Sequence, residues 1–157
     1  MTKTRESSQI EALLRSHVEA ALRELRHWST PEPDADGDYP FRADTSACWV
    51  RIVGGPDPSV QVFGHAANDV PRSAKMLAEI NELNRQSRWT KVFWINGCVI
   101  SEATLHWTLV DAPSLDRVMG ATCAVCDDIG PMIAAVFGGE TPLQPLPAPA
   151  EDESDAA

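Results

Sequence analysis

The sequence predicts an α+β domain in the order α-β-β-β-α-β-β-α, with one antiparallel sheet packed by helices. Three patterns predict it. Helical periodicity recurs at both ends and in the middle, alternating apolar runs lie between, and one hairpin can be read residue by residue.

The first helix is carried by SSQIEALLRSHVEAALRELRHW. Ser7 or Ser8 serves as its cap, with Glu11 at capping-box spacing from Ser8. Ile10, Leu13, Leu14, His17, Val18, Ala21, Leu25 and Trp28 recur at helical period. Glu11, Arg15, Glu19 and Arg23 alternate in sign four residues apart, as on a solvated face. Pro31 and Pro33 then open an exposed connector, STPEPDADGD.

Strands follow: YPFRA, then SACWVRIVG, then SVQVFGH, the last two joined by the turn around Gly54-Gly55-Pro56. Asn68, Asp69 and Pro71 signal a second helix over about residues 72–87, with Met76, Leu77, Ile80 and Leu83 on one face. In WTKVFWINGCVISEATLHW, Asn96-Gly97 is a hairpin turn, because both positions need positive φ. That turn pairs Ile95 with Cys98, Trp94 with Val99, Phe93 with Ile100 and Lys91 with Glu102, the last an opposite-charge pair that supports the register. A third helix is expected from Ser114, as cap, to Phe137, kinked at Gly130-Pro131 and striped by Leu115, Met119, Thr122, Cys126, Ile129, Ile133 and Val136.

The domain is expected over residues 8–142. Residues 1–7 and the Pro-rich, acidic segment 143–157 are expected to be disordered. The net charge is −10, and still −6 without the four carboxylates of EDESDAA, with no basic cluster to offset it. Nucleic acid is thereby an unfavourable partner. No apolar run reads as the roughly 20 residues that cross a membrane, and the polar start is not a leader, so a cytoplasmic protein is expected. The four cysteines are expected as free thiols.

Three constellations invite chemistry. Asp34, Asp36 and Asp38 around Gly37 suggest a calcium loop, but counting from Asp34 puts Gly at the fourth position and Thr45 at the twelfth, where a calcium hand needs Gly sixth and Glu twelfth. The stretch reads instead as a turn ahead of a strand. Cys123-Ala-Val-Cys126 suggests a redox or metal pair, yet it falls two turns inside a helix, away from the free N–H groups that lower a thiol pKa. A thiol-based regulator or metal protein using Cys123 and Cys126 is the alternative reading. The histidines His17, His27, His65 and His106 show no metal spacing, and no nucleophile-elbow or phosphate-loop motif occurs. Neither a catalytic residue, a metal site nor a cofactor is expected.

What remains is a sheet apolar on both faces. Trp49 and Phe63 alternate against Cys48, Val50, Ile52, Val60 and Val62, and Trp94 against Phe93 and Ile95. Either helices cover both faces, or one face is closed by a second subunit or a bound peptide. Trp49, Phe63, Trp94 and Trp107 are the expected partner-binding residues, with Met76, Ile80 and Leu83 as possible dimer contacts.

DGDYPF, RIVGGPDPSVQVF, SAKMLAEINELNRQSRWTKVFWINGCVI and CDDIGPMIAAVFGGETP together resemble the YbjN-type domain of the type III secretion chaperone-like (TY-Chap) superfamily, over roughly residues 8–142. The resemblance implies the same element order, homodimerisation, and capture of partner polypeptides on apolar surface. It carries no catalytic residues.

Overall fold

The computed structural model describes residues 2–25 and 30–147, with side chains from residue 9. Its elements are α1 (Thr2–Glu24), β1 (Tyr39–Arg42), β2 (Ala47–Val53), β3 (Ser59–Ala67), α2 (Ala74–Gln86), β4 (Lys91–Ile95), β5 (Cys98–His106) and α3 (Ala112–Phe137), with a 3-10 turn at Trp107–Leu109. The order matches the expectation. The strands form one antiparallel sheet in the order β1-β2-β3-β5-β4.

The hairpin has the register read from the sequence. Asn96 and Gly97 both take positive φ, Ile95 lies opposite Cys98, and Lys91 lies opposite Glu102 with 2.7 Å between Nζ and Oε1. The element ends differ more. Asp111, rather than Ser114, caps α3 and accepts the Ser114 amide at 2.7 Å. Ser73 caps α2. Helix α1 starts before Ser7 and Ser8, so the segment expected to be disordered is helical from Thr2. His27 and Trp28 lie outside the described residues.

All three helices lie on one face of the sheet. Tyr39, Val50, Val60 and Val62 pack with Leu14, Val18 and Leu22 of α1 and Leu115 and Met119 of α3. Ala66, Val92 and Val99 pack with Met76 and Ile80 of α2 and Cys126, Ile129 and Ile133 of α3. The strand residues in both clusters share one side by register. The possibility that helices cover both faces is thus excluded for the described residues.

Helix α3 sits close on β3 because of two glycines. A Cβ on Gly130 would lie 2.3 Å from the Ala66 carbonyl oxygen, and one on Gly64 would lie within 2.8 Å of the Cys48 and Cys126 sulfurs. The helix continues through Gly130-Pro131 as one element. By length and composition α3 is apolar enough to cross a membrane, which corrects the sequence expectation. Here its Leu115, Cys126 and Ile133 are core. Its Asp127 carboxylate accepts four bonds from the β1–β2 turn: the amides of Asp44 and Thr45 and the hydroxyls of Thr45 and Ser46.

The start of the Pro-rich tail is also ordered, contrary to expectation. Glu140 bridges Asn68 by two backbone bonds, the Leu143 amide reaches the Thr45 carbonyl, and Arg42 donates to the Gln144 carbonyl. These bonds lay residues 140–146 across the strand ends.

Candidate interaction face

The acidic stretch builds one corner of the helix-free face. Asp34 folds back on its own backbone, its Oδ1 accepting the amides of Asp36 and Asp38 at 3.0 Å each, with Gly37 at φ +84. The turn reading holds: this carboxylate is spent on the chain. The turn delivers Asp38, buried, to β2. There its two oxygens accept Nε of Arg51 at 3.1 and 2.9 Å and Oδ2 also takes Nη2.

Held that way, the Arg51 guanidinium lies 4.4 Å from the Phe63 ring centroid. Phe63 stacks on Trp49 at 5.3 Å and 16° between planes, and His65 meets Trp49 at 5.1 Å, tilted by 57°. Such stacking adds about 0.5–1.5 kcal/mol beyond the buried area, and a cation over a ring a similar amount. The register continues the surface across the sheet. One row reads Pro40, Trp49, Phe63, Glu102, Lys91; the next reads Arg42, Ala47, His65, Ile100, Phe93. It is a band of apolar and aromatic groups in which Arg51 is paired with Asp38 and Lys91 with Glu102, while Arg42 donates to the carbonyls of Ala43, Asp44 and Gln144.

Burial holds the His65 pKa below the usual histidine range, against a hydrogen bond with Asn68 that works the other way. Just past it the β3–β5 register shifts between His65 and Ala67, a bulge that ends the band.

Of the expected binding residues, the structure brings Trp49 and Phe63 together on this face. Trp94 points the other way: its indole N–H donates to the Val70 carbonyl at 2.9 Å and its ring packs on the α2–α3 core. Trp107 stands apart in the 3-10 turn, 6.0 Å from the His106 ring. The expected dimer contacts Met76 and Ile80 are corrected, because both side chains are buried in this chain's own core; Leu83 is half-buried beside them. Arg51 and His65 were not singled out in the sequence, although each alternates with the core residues of its strand, as Trp49 does.

Cys123 and Cys126 are free thiols, far from a nucleophile's setting. Hydrogen bonding with Cys48, followed by burial, pushes the Cys123 thiol up rather than down. The Cys48 thiol is also raised, by Cys126 and burial outweighing a Cys123 hydrogen bond that lowers it. No group of three or more metal-ligating side chains occurs among the described residues. His106 sits between Thr108 Oγ1 at 2.7 Å and Asp57 Oδ1 at 3.1 Å, on the exposed surface, where it caps the 3-10 turn by accepting the Thr108 amide.

With the geometry in place, comparison with known proteins decides the family. Residues 12–145 match the TY-Chap1 family, described as T3SS (YopN, CesT) and YbjN peptide-binding chaperone 1. The chain belongs to that family. The fold agrees: a chain in the crystal structure of the ExsC–ExsE complex superposes with a TM-score of 0.62 at 12% identity, over 76% of this chain and 96% of that one. A search of curated proteins finds no match. The fold and the family are those of a peptide-binding chaperone, as the sequence resemblance implied.

Proposed function

We propose that this chaperone holds an extended stretch of a partner polypeptide on the helix-free face, without catalysing a reaction. The observation that carries the reading is the Trp49–Phe63 stack with Arg51 fixed over it, a rigid apolar platform on the side no helix covers. Rigid aromatic groups contribute binding area at low entropic cost. The wider family works on peptides, and the fold neighbour was crystallised within a complex, both of which support a polypeptide partner. Two copies acting as a dimer in the cytosol fit the reading, with Leu83 and the exposed Ile10 and Leu13 of α1 as the apolar surface open to a second copy.

The test is capture from a native extract by the unmodified chain and by a Trp49→Ser, Phe63→Ser variant. A discrete set of polypeptides retained by the first and lost from the second, with unchanged helix content, is the expected result. Identical captures by both would overturn the assignment of the face.

A further inference from the structure

We infer that the chain carries a second docking groove, at the open edge of β5, which takes an extended apolar segment bearing a carboxylate. The inference rests on the peptide-holding reading and adds to it a place and a partner chemistry.

The argument begins with Asn84 of α2. Its side-chain amide takes both the N–H and the carbonyl of Val92, at 2.7 Å each. The Val92 peptide groups therefore turn away from β5. By the alternation of an antiparallel ladder, the β4–β5 bonds then fall at Lys91–Glu102, Phe93–Ile100 and Ile95–Cys98. The next residue of β5 in that series is Thr104. Strand β4 has ended by then, because its register stops at Lys91, while β5 runs on to His106. The N–H and carbonyl of Thr104 thus face outward with no strand beside them, and no turn or loop backbone bond reaches them among the described residues.

Alongside that free peptide group lies a groove of about 400 Å³, lined by the half-buried Leu105 and Val118 and the exposed Trp89 and Leu109. Trp89 is 80% exposed and Leu109 59%, a large apolar area for a chain to leave in water. Arg117 lines the groove and makes no hydrogen bond or ion pair among the described residues. Its charge does act on the Asp111 carboxylate, but that group is already engaged with the Ser114 amide. A shallower cleft continues from Trp89 and Thr104 past Arg88 to Lys91, whose charge is already paired with Glu102, so Arg117 is the cation that the groove leaves open.

The groove therefore offers a backbone donor and acceptor, apolar walls, and a guanidinium free for a carboxylate. A strand matches all three at once. Its backbone pairs with Thr104, its alternate apolar side chains fall between Trp89 and Leu109, and an acidic side chain reaches Arg117. In a chain of net charge −10, this cationic lip is what selects an acidic segment over a basic one.

The test uses a fluorescein-labelled nine-residue peptide alternating valine and threonine around a central glutamate, titrated with the full chain by anisotropy. Two controls carry a central lysine or a proline at the pairing position. The glutamate peptide is expected to bind, the controls at least about tenfold more weakly, and Arg117→Glu to reverse the order of glutamate and lysine peptides. Slowed amide exchange at Thr104 on binding is the accompanying signature. Equal affinities, or an order unchanged by Arg117→Glu, overturn the groove. Binding lost in Trp49→Ser but kept in Arg117→Glu overturns it too and leaves the open face standing. Protection of Thr104 by self-association alone assigns the edge to a second copy and overturns it. No peptide bound with native capture intact overturns this inference alone; no peptide and an empty capture overturn both.

Discussion

Asp38 reaches from the loop before β1 and holds the Arg51 guanidinium over the Phe63 ring, 4.4 Å from its centroid. The acidic turn and the aromatic platform are thus one structure. Replacing Asp38 with Asn removes the charge and one acceptor. Because Arg51 is 43% exposed, water screens the pair, and the expected loss is about 1–2 kcal/mol, read as a lower urea midpoint. Partner affinity should fall as well, since the guanidinium is no longer fixed. An unchanged midpoint and affinity would show that Arg51 needs no anchor.

His65 gives a pH dependence with a definite sign. Its folded pKa lies below the ordinary 6.5, mainly through burial. Between those values the unfolded chain binds a proton that the folded chain does not. Its contribution to stability is therefore complete above about pH 6.5 and is lost as pH falls toward the folded pKa. Urea midpoints measured from pH 8 to 5 should drop more steeply for the native chain than for His65→Gln. Parallel curves would remove His65 as the cause.

Asn84 seals part of an edge strand. Asn84→Ala leaves the Val92 N–H and carbonyl unpaired at the margin of the sheet. Its expected effects are about 1–2 kcal/mol of lost stability and more self-association, checked by denaturation and light scattering. If neither moves, the amide is incidental.

Thr122 is fully buried on α3 and its hydroxyl has no partner. Thr122→Val keeps the shape and removes the unsatisfied group. A gain of about 1 kcal/mol is expected, or roughly 2–4 °C in Tm for a chain of this size. A fall in Tm would mean that the hydroxyl is satisfied in solution.

Much of the fold was legible because its signals are local. Asn96-Gly97 set a register that carried through to the Lys91–Glu102 pair, and the α3 stripe from Leu115 to Ile133 is buried as its period implied. The Val136 end of that stripe is exposed: at the end of the helix Ile133 and Phe137 are the residues turned to the core, and Val136 lies off that side. The site was only half legible. Alternation told Trp49 from Val50, but the face each row presents depends on where the helices land, and no period within a strand encodes that. Trp94 is the clearest case: its alternation is regular, yet α2 and α3 came down on its side and took its indole into the core. Trp89, in a loop with no period at all, gave no signal, and became part of the groove only through the early end of β4.

The measurement closest to the central claim is photo-crosslinking from a benzophenone residue placed at Gln61, beside Phe63 on the helix-free face, compared with one at Glu24 on α1. The account predicts that partner polypeptides crosslink from position 61 and lose the crosslink when Trp49 and Phe63 are changed to Ser. Crosslinks from position 24 with none from 61 would contradict it, and would put the partner on the helical side of the molecule.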